Sequence, residues 1–317
     1  MKRALLTAAV LTAACAGAWA SPFSSSNRGT TAADFLNFAV GARAAGLGGA
    51  YSSVADDATA LYWNPAALTR IEHHSAAVMH ASFLDSSFYE YAAYGQSLGK
   101  WGAAGASLQY FSPGSIPQTD ASGNDLGTFH PYDMALSAGY AFTLPEYEFL
   151  GDLTGFSFGI SGKFIESKIL SSAHAGAVDL GILTPSYLDG RLRFAFTATN
   201  LGGQLAYEQV YAPLPETMRV GGAFKLTPSW LIASDAVWPV NDNAHGTIGT
   251  EYWLTSGDKW KFAGRAGFDS QTIGSVTGFT GASMGFGVRY AGAAIDYAFS
   301  PYGGVGQAQR VSLSYDF

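Results

Sequence analysis

Arg191-Leu192-Arg193-Phe194-Ala195-Phe196-Thr197-Ala198-Thr199-Asn200 alternates along its length. Leu192, Phe194, Phe196 and Ala198 fall on one side of an extended chain, and Arg191, Arg193, Thr197 and Thr199 on the other, because successive side chains of a strand point to opposite faces. The same period returns elsewhere. Phe156, Phe158, Ile160 and Phe164 oppose Ser157, Gly159, Ser161 and Lys163; Met284, Phe286, Val288 and Tyr290 oppose Ser283, Gly285, Gly287 and Arg289; Ala293, Ile295, Tyr297 and Phe299 oppose Ala294, Asp296 and Ala298. Gly, Pro, Asn, Asp and Ser clusters punctuate these runs. Working outward gives about fourteen strands, near 73–84, 87–98, 101–112, 131–143, 154–166, 175–185, 191–201, 217–226, 229–239, 245–254, 260–269, 281–290, 292–299 and 308–317. Each is close to the roughly 9–11 residues that a tilted transmembrane strand needs, and single-chain bacterial barrels use an even number. A soluble antiparallel sandwich alternates too, with its apolar face inward, so period alone does not choose.

Composition does. Only 13% of residues are charged, against about 25% in ordinary soluble domains, while aromatics reach 14% and glycines number 39. No run of about 18 apolar residues supplies a helical span. In hydrocarbon only helices and closed barrels satisfy the backbone, so the expectation is an all-β transmembrane barrel of antiparallel strands in the outer membrane of a Gram-negative-type cell.

Lys2 and Arg3, the apolar run Ala4 to Ala16, and Ala18-Trp19-Ala20 read as a cleavable signal peptide over residues 1–20. The run is short for a spanning anchor, the alternative reading. Cys15 lies inside it, and Thr12 stands where a lipoprotein site wants an aliphatic residue. Cleavage would leave 297 residues with no cysteine, hence no disulfide or thiol chemistry, and would move the formal charge from −7 to −9 by removing Lys2 and Arg3. An acidic chain with no basic patch visible in sequence argues against a nucleic-acid partner.

Connections at 113–130, 167–174, 202–216, 270–280 and 301–307 read as long, and most of those between them as short. Outer-membrane barrels carry long loops outside and short turns in the periplasm, so both termini are expected in the periplasm. Connections 85–86 and 144–153 break the alternation. The last strand places Val311, Leu313, Tyr315 and Phe317 opposite Arg310, Ser312, Ser314 and Asp316. Its aromatic end, Tyr315 and Phe317, looks like the signal read by the outer-membrane assembly machinery; an ordinary closing strand of a soluble sheet is the alternative.

Residues 21–72 lack the strand rhythm. A polar leader, Ser24 to Thr31, precedes a turn or two of helix at Ala32 to Ala39 and the glycine-rich stretch from Gly41 to Gly49. Asp57 suits capping of Ala58 to Trp63, its carboxylate accepting orphan N–H groups, and Asn64-Pro65 is a cap followed by proline at the first helical position. The expected organisation is therefore a signal peptide (1–20), an N-terminal plug or hatch inside the lumen (21–72) and the barrel (73–317).

Residues 41–68 read GARAAGLGGAYSSVADDATALYWNPAAL. With Gly41, Arg43, Gly46, Gly48, Gly49, the pair Asp56-Asp57 and Tyr62-Trp63-Asn64-Pro65-Ala66, the stretch resembles the N-terminal signature of the PorV/PorQ family, within the FadL-like superfamily of outer-membrane proteins. Asn200-Leu201-Gly202, Pro213-Leu214-Pro215, Arg219-Val220-Gly221 and the C-terminal run from Ile295 also look like the family. The resemblance implies fourteen strands with an N-terminal plug, and one of two jobs. PorV-like members take part in type IX secretion, capturing exported proteins and handing them to a surface-attachment complex. FadL-like members pass hydrophobic small molecules. A structural barrel with neither role is a third reading.

Asp133, Lys163, Asp179, Arg191, Arg193, Arg219, Lys225, Asp235, Arg265, Arg289 and Asp296 lie within predicted strands. A lipid-facing Arg or Lys at mid-depth costs about 2–4 kcal/mol. These charges are therefore expected to face the lumen and pair with one another or the plug, as structural ion pairs rather than a substrate path. Trp101, Trp230, Trp238, Trp253 and Trp260 lie near predicted strand ends, as aromatic girdles do; a ligand cage is the alternative. The Gly41–Gly49 spacing lacks the Lys-Ser/Thr of a P-loop and reads as close packing against the wall. Gly95-Gln96-Ser97-Leu98-Gly99 and Gly281-Ala282-Ser283-Met284-Gly285 match the hydrolase-elbow pattern but fall on strands or turns, and His73, His74, His80, His130, His174 and His245 show no metal spacing. No catalytic residue, cofactor or metal is expected. The expected partners are outer-membrane lipid, the assembly machinery, and secreted cargo proteins or hydrophobic small molecules.

Overall fold

The computed structural model describes residues 23–83, 86–145, 154–207, 210–273 and 276–317. The expected signal peptide and most of the 144–153 connection lie outside them. Fourteen antiparallel strands form a closed barrel: β1 (His74–Ser82), β2 (Phe88–Ser97), β3 (Ala103–Ser112), then β6 (Tyr132–Thr143), β7 (Ser157–Lys168), β8 (Ser172–Leu183) and β9 (Leu192–Leu201). The ring continues through β12 (Thr217–Thr227), β13 (Trp230–Pro239), β14 (His245–Ser256), β15 (Trp260–Asp269), β16 (Ala282–Tyr290), β17 (Ala293–Pro301) and β18 (Gln307–Asp316). Each strand pairs with its sequence neighbour in the wall, and β18 returns to β1 from Ser75↔Asp316 to Ser82↔Gln309. Hairpins β4 (Ile116–Thr119)–β5 (Asp125–Phe129) and β10 (Gln204–Tyr207)–β11 (Val210–Pro213) stand within the two longest connections. Among the described residues no helix is long and apolar enough to cross a membrane.

The barrel has two unlike ends. At the foot, where β1 begins and β18 finishes, turns such as 228–229, 257–259 and 291–292 are tight. The rim carries the hairpins. The connection expected to be long at 167–174 is a correction: only 169–171 lie outside the ladder, because β7 and β8 stay paired out to Lys168↔Ser172. Ser167 and Ser172 read as loop residues, yet the twelve-residue strands carry them into the sheet.

Period two separates outside from inside. Phe286 and Tyr297 are 53% and 38% exposed on the outer wall, whereas Arg265 and Arg310, on the opposite face of their strands, are 5% and 2% exposed. Inward positions are mostly small: Ala77, Ala135, Ala141, Ala233, Ala263 and Ala298 are all buried. Residues 35–71 fill the space these leave. Phe35, Leu36, Val40, Leu47, Leu61, Trp63 and Leu68 are buried there, each such side chain contributing about 1.5–3 kcal/mol on leaving water. This segment holds two short helices, α1 (Ala42–Gly46) and α2 (Ala60–Trp63), and a 3-10 helix at Pro65–Arg70. Helix α1 packs on β15 to β18, and the 3-10 helix on β6 to β8.

The first described residues lie at the rim, the opposite end of the barrel from Phe317. Asn27 Nδ2 donates to Val240 O (3.2 Å) and Arg28 pairs with Asp242 (2.8 Å); both partners lie in the rim connection between β13 and β14. Phe317 exchanges backbone hydrogen bonds with His74 at the foot. The chain enters at the rim and descends inside the wall before β1 begins, because buried contacts hold residues 35–71 within the barrel.

An outward belt sets a depth-dependent cost for charge. Phe286→Arg, at the middle of β16, is expected to lower folding stability by about 2–4 kcal/mol, and Tyr290→Arg, at the foot end of the same strand face, by roughly 0–1 kcal/mol. Urea titrations of refolding into lipid vesicles measure both; equal costs would remove the lipid-facing assignment.

Candidate functional site in the barrel lumen

The segment meets the wall where the wall has no side chains. A Cβ on Gly267 would lie 2.1 Å from Gly48 N, one on Gly159 2.2 Å from Ala66 N, and one on Gly46 3.0 Å from Gly285 Cα. Gly41, Gly48 and Gly49 also take φ of +84°, +67° and +81°, a region that side-chain-bearing residues rarely adopt. Glycines on both partners thus permit backbone-to-backbone contact across the lumen.

Charge fixes the register of that contact. Arg43 on α1 donates to both carboxylate oxygens of Glu251 on β14 (2.8 and 2.9 Å) and to Asp56 (2.6 Å). Glu251 also accepts from Arg265 on β15 (2.7 Å), whose Nη1 donates to Asp296 on β17 (2.6 Å). Arg70 reaches Asp56 from the other side (3.6 Å). Burial alone would raise the Asp56 carboxyl, but Arg43, Arg70 and Arg289 outweigh it and hold the group below its usual value. Asp57 behaves oppositely: burial and the neighbouring Asp56 push it up, against hydrogen bonds from the Thr59 N–H and hydroxyl.

Two further anchors flank this node. Asp235 accepts from the N–H groups of Tyr51 (3.2 Å) and Ser52 (3.1 Å) and pairs with Arg219 (3.4 Å), whose guanidinium lies over the Trp63 ring at 5.1 Å. Trp63 Nε1 donates to Val40 O (2.9 Å). Lys163 pairs with Asp179 (2.9 Å) and donates to Asn200 Oδ1 (2.6 Å), while Asn200 Nδ2 donates to Pro215 O (3.1 Å) and lies 3.4 Å from Asn37 Oδ1. Asn64 caps the 3-10 helix by accepting from Ala66 N (3.1 Å), ahead of Pro65, and its amide donates to Ser52 O and Ile182 O. Tyr62 packs edge-on against Trp63 and Tyr91.

Of the strand charges singled out in sequence, the barrel pairs Lys163 with Asp179, Arg219 with Asp235 and Arg265 with Asp296. Asp133 takes a hydroxyl, that of Ser167. Arg193, Lys225 and Arg289 take lumen-face positions near the foot, whereas Arg191, just ahead of β9, carries its guanidinium 5.6 Å from the ring of Phe224 on the outer face of β12. Contrary to the expected pairing, none of the four makes an ion pair among the described residues, the contacts of Glu251 and Asp56 being with Arg43, Arg265 and Arg70. Trp253 is a second correction. It points inward, with Arg265 and Arg289 each 5.4 Å from its ring centre, because it shares the face of Thr247 and Glu251. Trp101, Trp230 and Trp260 are exposed around the foot, and Trp238 is half-buried on the outer face of β13. Tyr315 and Phe317 stack at 5.2 Å beside His74. Glu251, Arg70 and Arg310 were not singled out. Glu251 shares a strand face with Thr247 and Gly249, which is the signal that could have found it; Arg70 lies in a segment without periodicity. Arg310 is buried beside Phe83 (5.3 Å) with no carboxylate partner among the described residues.

Cavities lie toward both ends of the lumen. One of about 160 Å³ lies toward the rim, bordered by Tyr62, Asn200, Arg219 and Arg310. The other, of about 270 Å³, lies at the foot beneath Arg43 and Asp56. Gly95 and Ser97 sit on β2 and Ser283 on β16, within the ladder. Among the described residues no three His, Cys, Asp or Glu side chains gather as a metal site would require.

Glu251 is the hinge of the node. Glu251→Ala strands Arg43 and Arg265 in a buried site and is expected to cost about 3–5 kcal/mol, read as a lower temperature for loss of the folded band on unheated electrophoresis; an unchanged temperature would show that the node does not anchor the segment.

The family model for "Type IX secretion system protein PorV" matches residues 23–231. A comparison with curated proteins finds no match. Among solved structures, the fold resembles a Pseudomonas aeruginosa FadL homologue (TM-score 0.55, 13% identity) and the toluene transporters TodX of P. putida (0.55, 13%) and TbuX of Ralstonia pickettii (0.53, 13%). Each alignment covers 87% of this chain and 98% of the other, a likeness of fold.

Proposed function

We propose that this chain, which belongs to the PorV family of type IX secretion system proteins, engages secreted proteins at the outer membrane as a non-enzymatic barrel. Residues 21–72 act as its plug, and residues 1–20 as the signal peptide that directs export. The rim faces the cell surface and the foot the periplasm, since the two longest connections, 113–131 and 202–216, lie at the rim and outer-membrane barrels carry their long loops outside. In this orientation residues 24–34 lie at the surface, among the loops that would meet cargo.

The observation that carries the reading is the ion-paired node at mid-lumen. Arg43, Glu251, Arg265 and Asp296 are joined by contacts of 2.6 to 2.8 Å, and a small molecule crossing the lumen would have to part them. Separating a buried pair leaves uncompensated charge at a cost of about 3–5 kcal/mol. A barrel used for its outer surfaces and rim tolerates such a seal; a conduit does not. The second reading, passive transport of hydrophobic small molecules, draws on the fold shared with toluene transporters and on the rim cavity.

Deletion of the gene separates the two. The secretion reading expects exported surface proteins to accumulate in the periplasm and to be lost from the cell surface, with uptake of toluene-like compounds unaltered. Unchanged surface display together with slowed uptake would replace it with the transport reading.

A further inference from the structure

The foot cavity gathers charge of one sign. Arg191, Arg193, Lys225, Lys261 and Arg289 all line it, in a chain whose formal charge is −7. Their placement is costly. Lys261 stands directly opposite Arg289 in the β15–β16 register. Arg191 stands opposite Lys225, whose N–H donates to the Arg191 carbonyl (2.9 Å). Like charges directly across a ladder destabilise it, and the Lys261–Arg289 pair opens onto the same space as Arg193 and Lys225.

The carboxylates beside the cavity make their ion pairs with other arginines. Glu251 is held by Arg43 and Arg265, and Asp56 by Arg43 and Arg70. Among the described residues none of the five cations has an ion pair. Arg193 reaches only the Ser186 hydroxyl (2.6 Å), and the Nε–H groups of Arg193 and Arg289 are buried without an acceptor from the chain. A buried donor left unbonded is itself unfavourable.

The geometry points to an anion-binding vestibule whose occupant is an acidic peptide segment of a partner protein, inserted at the foot. Arg193, Lys225, Lys261 and Arg289 occupy lumen-face positions, so lipid headgroups around the outer wall do not meet them, while the Arg191 guanidinium turns toward the outer-face ring of Phe224 (5.6 Å). From β9 to β16 the ladder runs through β12, β13, β14 and β15, an arc of about 24 Å at roughly 4.8 Å per strand. One small anion reaches neighbours on that arc but not its two ends. An extended peptide of about eight residues spans it, and arginine forks bind carboxylates in bidentate fashion. The inference stands apart from the secretion reading, since a transport barrel would keep the same cations.

The test uses the purified full chain in detergent micelles and a fluorescein-labelled eight-residue glutamate peptide, with an eight-residue glutamine peptide as comparison. Fluorescence anisotropy is expected to show saturable binding of the glutamate peptide only, weakening with added salt as exposed charge pairs are screened. Exchanging Lys225→Gln and Lys261→Gln together, both exposed side chains, is expected to weaken binding about tenfold or more. Lys100→Gln, a foot-end lysine over Trp101 outside the cavity, should leave it unchanged. An unaltered folded band on unheated electrophoresis verifies each variant. Equal binding by the double variant, or an equal loss with Lys100→Gln, would overturn the vestibule. Displacement of the peptide by an equimolar amount of inorganic pyrophosphate would overturn the peptide assignment in favour of a small anion.

Discussion

Backbone N–H and C=O groups placed in hydrocarbon have no water to bond to, so a sheet that enters a membrane must close. Here the closing contact joins β1 to β18 in eight register pairs, the two strands most distant in sequence. Once the ring is closed, the alternation along every strand becomes a division between lipid and lumen. The one break in the β8–β9 register, between Val178 and Leu180, is repaired with a side chain: the Asp179 carboxylate accepts the Asn200 N–H (2.8 Å), and Asn200 turns with φ +60°, a conformation asparagine tolerates better than most residues. The Asn200 N–H is thus bonded even where the ladder slips.

Closure also explains what lies inside. Because large apolar residues are drawn outward, the inner face is left to alanine, glycine and serine, and a ring of small side chains encloses space that something must occupy. Residues 35–71 do so with their own hydrophobic side chains. Apolar packing alone would let the segment slide or rotate; buried ion pairs are directional and costly to misplace. Arg43 on Glu251, Asp235 on the Tyr51 and Ser52 amides, and Asn64 on the Ile182 carbonyl tie it to three separate strands. These contacts select one position for a chain that the glycines allow to come very close.

The strands were legible because their signal is local. All fourteen sit within a few residues of where alternation and turn chemistry put them, and β15 begins and ends at the expected 260 and 269. What sequence missed is non-local. Trp253 near a strand end reads as interface belt, and only the parity it shares with Glu251 reveals that it looks inward. Residues 169–171 form a tight turn that Ser-rich flanks disguise as a loop. The path of residues 23–34 to the rim follows from contacts with a connection more than 200 positions away, which periodicity cannot report. The absence of a basic patch in sequence is likewise deceptive, since Arg191, Lys225, Lys261 and Arg289 become neighbours only when the ring closes.

Depth then governs how charge is treated. At mid-lumen every formal charge of the node is matched within hydrogen-bond distance, because desolvation leaves no cheaper state. At the foot Lys225 and Lys261 are exposed, and water lowers the cost of leaving them unmatched. Solvent access does not remove the repulsion between cations that face each other across a ladder, nor does it bond the buried Nε–H groups of Arg193 and Arg289. A sheet under no other demand relieves such strain with a single substitution, at Lys261 or Arg289. The foot therefore differs from the node in kind: the node is complete within the chain, whereas the foot is electrostatically complete only with a negative group supplied from outside it.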